Sequence, residues 1–446
     1  MISSIYLNSP VVFQNAMISL YGVKTYADRF MGPLPDTYKK LKHAFSPPDK
    51  SSFELQDQRL KQLLKHCQSN VPYYKGILAD VDVELINRKN IHNYFPLLTK
   101  KDVVNNVKSL VPGPGSCYYP EVKISTSGTS GTPLTIYATK ESRRVNYAFF
   151  NNFLESLGAS YRAKSTILAG RKIYKRGSRK VDRYDYFNRT QYLSVYDISP
   201  DTISKYIEAL NRWQPEYIDS HPSALFELQY LAMKKGLKLN FSPKFIVTSS
   251  ESLTATIRNK VESFFCSKIY DHYGCAEMCI SAFNSDDKYY NDPTYSIIEL
   301  IDKGNDLYSV VVTGLVNFGM PLIRYEIGDL VHCSDLRDPY TFDSVDGRLD
   351  DIIVTPEGRL VGRLSPVFKG IPGLELAQVV QESKYTLVVN AVLREEERDK
   401  FDESLIISKL KSSTSESMSV RVNYVADIEK NANGKFKSVV NLVKEL

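Results

Sequence analysis

Ser125, Thr126, Ser127, Gly128, Thr129, Ser130 and Gly131 stand together in the run KISTSGTSGTPLTIYATK, Lys123 to Lys140. Hydroxyls and free N–H groups are the donors a phosphate needs, and glycine lets a backbone approach such a ligand closely. A polar hairpin turn draws on the same residue types, so both readings stand at this point. The run is not a Walker A loop, which requires a Lys-Ser/Thr pair directly after its second glycine. At that spacing from Gly128 stands Pro133, and the next lysine is Lys140. No G-x-G-x-x-G dinucleotide loop occurs either. A phosphate bound here is held by amides and hydroxyls, and its cation comes from elsewhere.

Four later segments bear on that cation and on the rest of a nucleotide. In YDHYGCAEM (270–278) a strand-like run ends in Tyr-Gly and is followed by Glu277. That acid is of the kind that ligates magnesium beside a phosphate loop, or else a surface carboxylate on a turn. PLIRYEIGDL (321–330) reads as a strand leading through Gly328 to Asp329. A carboxylate at a strand end can take both ribose hydroxyls. GRLDDII (347–353) carries Arg348 and Asp350 and reads as a solvated hinge loop, while NANGKFKSV (431–439) is a turn signal presenting Lys435. His272, Cys275 and Cys279 lie close in sequence, but their spacing fits no standard zinc signature. The run RKIYKRGSRKVDR, Arg171 to Arg183, holds seven Lys/Arg and one acid. It is a solvated loop, or it meets an anionic ligand or nucleic acid.

The elements that must position these residues alternate. STILAG (165–170), KFIVTSS (244–250), SKIYDHYG (267–274) and YSVVVTGL (308–315) read as strands, with amphipathic helices such as DTISKYIEALNRW and SALFELQYLAMKKG between them. Such alternation argues an α/β fold with buried, mostly parallel strands, whose ends are where ligands sit. An earlier helix runs through FELQDQRLKQLLKHC and breaks at Val71-Pro72. Near residue 345 the texture changes. A strand (385–393), a helix (397–413) and a strand (419–428) follow, enough for a small α+β domain. The chain thus divides into a large domain, 1–346, and a small one, 347–446. At 446 residues two or three domains are expected. A composition of 43% hydrophobic and 24% charged residues is that of a soluble globular protein. No apolar run reaches the roughly 20 residues that cross a bilayer. Six scattered cysteines form no disulfide framework, which points to the cytoplasm. The net charge of +6 is modest and says nothing about fold.

Taken in order, NVPYYKG (70–76), FPLLTKKDV (95–103), TSGTSGTP (126–133), SHPSAL (220–225), SSESLT (249–254) and the four segments above resemble the adenylate-forming (ANL) superfamily. Within it the chain looks most like the phenylacetate–CoA ligase branch and its CapK-like relatives from polysaccharide gene clusters. The resemblance implies an ATP-dependent ligase that joins a carboxylic acid to AMP and passes the acyl group to CoA or to an amine. It implies that residues 125–131 embrace the ATP phosphates, Glu277 holds Mg²⁺, and Asp329 and Arg348 bind the ribose. Tyr273 and Gly274 would neighbour adenine and carboxylate, with Ser250 and Glu251 beside the adenine. His221 and Cys275 would line the substrate pocket. Asp350 would be the hinge of a mobile C-terminal domain, and Lys435 the lysine bridging carboxylate and α-phosphate. The chain departs from the pattern in two places. Thr132-Pro133-Leu134 replaces the loop lysine, and Ala276 stands where most members have a threonine. Both departures leave open a non-catalytic, nucleotide-binding relative. Nucleic acid is not an expected partner. CoA, or a nucleotide-sugar acceptor, is the anion expected at the basic run.

Overall fold

The computed structural model describes residues 2–443 apart from 40, 126–133, 172, 176–177, 179, 252, 305, 349–352, 357–359, 362–363, 369–370 and 430–437. Its largest sheet has nine strands. Five of them, Thr190–Ser194, Ser165–Ala169, Tyr217–Ser220, Phe245–Ser249 and Ile269–Gly274, lie side by side and parallel. Three of them, 165–169, 245–249 and 269–274, are runs the sequence marks as strands; the fourth such run, Leu307–Gly314, is antiparallel and belongs to a second sheet. Helix Lys140–Ser156 covers one face through Phe153 and Leu154. Helices Ile203–Trp213, Pro222–Lys234 and Ala255–Phe265 cover the other, over Leu168, Ile218, Ile246 and Ile269. Antiparallel strands close the sheet on both sides.

A second sheet is wholly antiparallel, in the order Ser296–Asp302, Leu307–Gly314, Tyr325–His332 and Ser344–Arg348. It shares a core with helix Lys50–Asn70, which ends at Val71-Pro72 as its sequence indicates. Asp329 is not at the end of its strand, as expected, but inside it. Gly328 explains the difference. Its φ of +85° is open to glycine at no steric cost, and register shifts flank it on both sides. The chain therefore bulges and continues to His332 rather than stopping.

Residues 353–439 build a core of their own from Ile353, Val379, Leu387, Val389, Ile406 and Val439, among others. Its sheet runs Ser419–Tyr424, Thr386–Leu393, Leu374–Ser383, Val439–Asn441, with helix Glu403–Ser413 against it. That helix starts six residues later than its sequence suggests. Asp402 caps it by accepting from Ser404 N–H, so Glu395–Lys400 forms a separate 3₁₀ turn. At the other end of the chain, helices α1 (Ile2–Asn8) and α2 (Val11–Phe30) close the free edge of the large sheet. No sequence pattern above announces them.

Candidate active site

The carboxyl ends of the parallel strands, at Ser194, Ser220, Ser249 and Gly274, form one edge of the large sheet. His221, Ser250, Glu251, Tyr273, Gly274, Cys275 and Glu277 all fall on it or just past it. Tyr273 reaches across to the second sheet. Its hydroxyl donates to Asp329 Oδ2 at 2.8 Å. Burial, and then the charge of Asp329, push the phenol well above its ordinary value, so it remains a donor at every physiological pH. Asp329 is itself buried and sits opposite Arg348 in register. The pair expected at a ribose is thus brought together by neighbouring strands.

Glu277 is 8% exposed, and its Oε1 accepts from the hydroxyl of Tyr325 at 3.4 Å. Among the described residues no lysine, arginine or histidine pairs with it. A buried carboxylate with one weak neutral donor is the kind of group that a divalent cation satisfies. Glu277 therefore fits a magnesium brought by ATP. Cys275 and Cys279 flank it with sulfurs 3.3 Å apart. Cys275 is half-buried, and burial raises the thiol of Cys279. His272 does not join them: its Nε2 lies 3.1 Å from Ser281 Oγ and its ring stacks on Phe283. Among the described residues no three His, Cys, Asp or Glu come together as a metal site.

Burial lowers His272 to about 4, so it is neutral near pH 7 and offers a phosphate no charge. The shift has a consequence for stability. Below the ordinary value of 6.5 the unfolded chain takes up the proton first, so stability is lost as pH falls from there toward about 4. Melting curves across that window should show a smaller acid loss in His272→Gln than in the wild type. Equal losses would show that His272 is not the group responsible.

Glu251, just past strand Phe245–Ser249, is engaged within the protein. Its two oxygens accept from Ser223 N–H and Ser223 Oγ, both at 3.0 Å, at the start of helix Pro222–Lys234. It therefore ties one strand end to the helix that follows its neighbour, and the helix terminus favours its charge. His221 caps the same helix, with Nδ1 3.4 Å from Ser249 O. Ser250 has a φ of +72°, a conformation that turns the chain sharply at the edge. Ser125 ends strand Val122–Ser125, which pairs antiparallel with Thr135–Ala138, so the 126–133 loop springs from a hairpin. The loop itself, Thr126 to Gly131, lies outside the described residues, as do Asp350, Lys435 and the side chains of Ser125 and Arg348.

Three residues at this edge were not foreseen. Tyr325 meets Glu277 only because the two sheets pack together. Asp219, on strand Tyr217–Ser220, is raised to about 6 by burial, against the opposing charge of Arg171. Asp271 is raised to about 6 likewise, while Thr248 and Tyr289 donate to it at 2.5 and 2.7 Å. An acid inside an apolar strand is the signal that would have marked the last two.

Comparison with known proteins bears on the fold. Residues 353–442 match the model of the CapK C-terminal domain. Protein CapK of Staphylococcus aureus is 24% identical, over the whole of both chains. The phenylacetate-coenzyme A ligase of Escherichia coli is 25% identical over 67% of this chain and 72% of its own. This chain is a homologue of both. A solved structure of 2-hydroxyisobutyryl-CoA ligase, in complex with an acyl-AMP in its postadenylation state, superposes with a TM-score of 0.65. The match covers 90% of this chain and 95% of that one at 16% identity, so it bears on the fold alone. The CapK homologue thus has the α/β architecture of the adenylate-forming ligases, with its parallel strands at the centre of the large sheet.

Proposed function

We propose that this adenylate-forming ligase uses ATP and Mg²⁺ to convert a carboxylic acid to its acyl-adenylate, with release of pyrophosphate, and then transfers the acyl group to CoA or to an amine. The observation that carries this reading is the meeting, at one sheet edge, of the Tyr273–Asp329 pair and the Tyr325–Glu277 pair. Asp329, held by Tyr273 and facing Arg348 in register, binds the ribose hydroxyls. Glu277 holds the cation, which offsets charge on the phosphates. The hairpin loop, residues 125–131, wraps the phosphates with amides and hydroxyls. Lys435 stands between the attacking carboxylate and the α-phosphate, where two negative charges approach. His221 and Cys275 line the acid's pocket, and Ser250 and Gly274 shape the adenine side. Glu251, beside the adenine, keeps its helix end in place.

Two further parts belong to the same reading. Residues 1–346 form the adenylation domain and 347–446 a smaller domain that turns about Asp350 between the half-reactions. The separate core of 353–439 supports that division. The reading extends to a role in surface-polysaccharide synthesis in the cytoplasm, where the acceptor is an amine on a sugar or CoA itself.

Pyrophosphate release from MgATP tests the reading, over a panel of aryl, fatty, amino and sugar-derived acids with and without CoA. Release stimulated by one acid supports adenylation, and dependence on CoA identifies the acceptor. ATP binding with no release across the panel would favour a non-catalytic relative, consistent with the missing loop lysine and Ala276. Tyr273→Phe removes one hydrogen bond to Asp329 and leaves the ring. KM for ATP should rise roughly tenfold to a hundredfold, the worth of a hydrogen bond to a charged group, with kcat little changed. A variant whose KM for ATP is unchanged would remove Asp329 from the ribose.

A further inference from the structure

Helix α2 is built the wrong way round for a helix that merely packs on its own protein. Where it meets the edge strand its inward face is polar and small, and apolar packing comes only at its last turns, where Tyr26 and Phe30 lie against Tyr161. Asn15 Oδ1 accepts from Tyr184 N–H and Ser19 Oγ accepts from Tyr186 N–H, each at 3.0 Å. Gln14 accepts from the buried guanidinium of Arg183. Strand Asp182–Asp185 is the last of the large sheet, and these side chains satisfy the N–H groups its open edge exposes. Gly22 completes the face. A Cβ there would come within 2.1 Å of the Asp185 carboxylate.

Several apolar residues of α2 are consequently left outside. At about 100° per residue, Val12, Phe13, Leu20, Tyr21 and Val23 fall on one half of the helix. Phe13 is 64% exposed, Leu20 72% and Val12 77%, and Ile5 of α1 adds to them. Capping the edge strand needs none of these side chains. Single exposed apolar residues are ordinary, but a row along one helix marks a contact surface.

What covers the row is indicated by its neighbour. The basic run Arg171–Arg183 is fastened to the same two helices. Tyr6 of α1 donates to Ile173 O at 2.8 Å, and Arg183 bonds both Gln14 and Lys180 O. Arg171, Lys175 and Lys180 are exposed while Ile173 and Tyr174 are buried, so these three charges face water. An apolar helix face beside clustered Lys/Arg is the composition that binds an anionic lipid surface. A second copy of the chain would set one basic run against another across the contact, which favours lipid over self-association. Among the described residues no helix is long and apolar enough to cross a membrane, so the contact is with the surface of the bilayer.

We propose that α1, α2 and the exposed Arg171, Lys175 and Lys180 form a docking face for an anionic membrane surface, independent of the ligase site. The test is sedimentation of the full chain with vesicles of phosphatidylcholine alone, or with phosphatidylglycerol as about one lipid in three. Binding should require phosphatidylglycerol and weaken as ionic strength rises past about 0.15 M. Leu20→Glu, or Phe13→Ser as a milder change, should weaken it by at least about tenfold. Lys175→Ala and Lys180→Ala should each weaken it roughly fivefold. All four positions are on the surface, and an unchanged melting temperature checks that the variants are folded. Equal sedimentation with both vesicle types, or binding indifferent to Leu20→Glu and Phe13→Ser, overturns the proposal. So does a dimer in ultracentrifugation that Leu20→Glu dissociates, without vesicle binding. A rise in KM for CoA on removing Lys175 and Lys180, without loss of vesicle binding, would assign the run to the acceptor instead.

Discussion

Lys435→Ala is expected to slow acyl-adenylate formation roughly 10²–10³-fold while leaving the melting temperature at its wild-type value. The physical ground is the charge balance of the step. A carboxylate attacking an α-phosphate brings negative charge toward negative charge, and only a cation already in place stabilises that approach without reorganisation. With no lysine in the 126–133 loop, the chain has one lysine fewer to share that task than most of its kind. The cost of losing Lys435 should therefore lie at the upper end of the range. Acid-dependent pyrophosphate release measures the first half-reaction directly. Transfer from a preformed acyl-adenylate to the acceptor measures the second, and should be nearly unaffected. A variant that adenylates at the wild-type rate would show that Lys435 has no part in the step.

Glu277→Gln carries the other large effect. The substitution preserves shape and removes the charge on a group that is buried and, among the described residues, accepts only the weak bond from Tyr325. Adenylation should fall roughly 10²-fold, and the Mg²⁺ concentration needed for half-maximal rate should rise. The second readout separates a cation ligand from a structural acid. If Glu277 serves only to hold Tyr325 and the second sheet, Glu277→Gln will lower the melting temperature and leave the Mg²⁺ dependence where it was. Tyr325→Phe sharpens the comparison, because it removes the same hydrogen bond and keeps the carboxylate.

These two residues also mark how far the site can be read from the chain alone. Glu277 is singled out by its place after a strand that ends in Tyr-Gly and Lys435 by a turn signal, and the role of each comes from the family resemblance. Both are local patterns. Asp329 is found as well, but its setting is not, because a bulge at Gly328 carries the strand past it. Glu251 is found and its partner is not: its two hydrogen bonds go to Ser223. Tyr325 gives no signal, since one tyrosine among 30 has nothing in its neighbourhood to distinguish it. Helix α2 leaves no ordinary amphipathic trace, because its buried residues, Gln14, Asn15 and Gly22, are polar or small.

By itself the sequence determined what depends on neighbours a few residues away. That includes the apolar runs of the parallel strands, the helices between them, the stop at Val71-Pro72, the glycine- and hydroxyl-rich loop, and the change of texture near residue 345. Side-chain period and turn chemistry act over such distances, so they can be read without a fold. Only the tertiary structure decided which of these pieces meet. Tyr273 and Asp329 are 56 residues apart, and Glu277 and Tyr325 are 48 apart. Each pair joins the large sheet's edge to the second sheet. The inward polar face of α2 likewise follows from the unpaired N–H groups of a strand more than 150 residues away, at Tyr184 and Tyr186. Those demands arise only when sheets and helices pack, and no local pattern carries them.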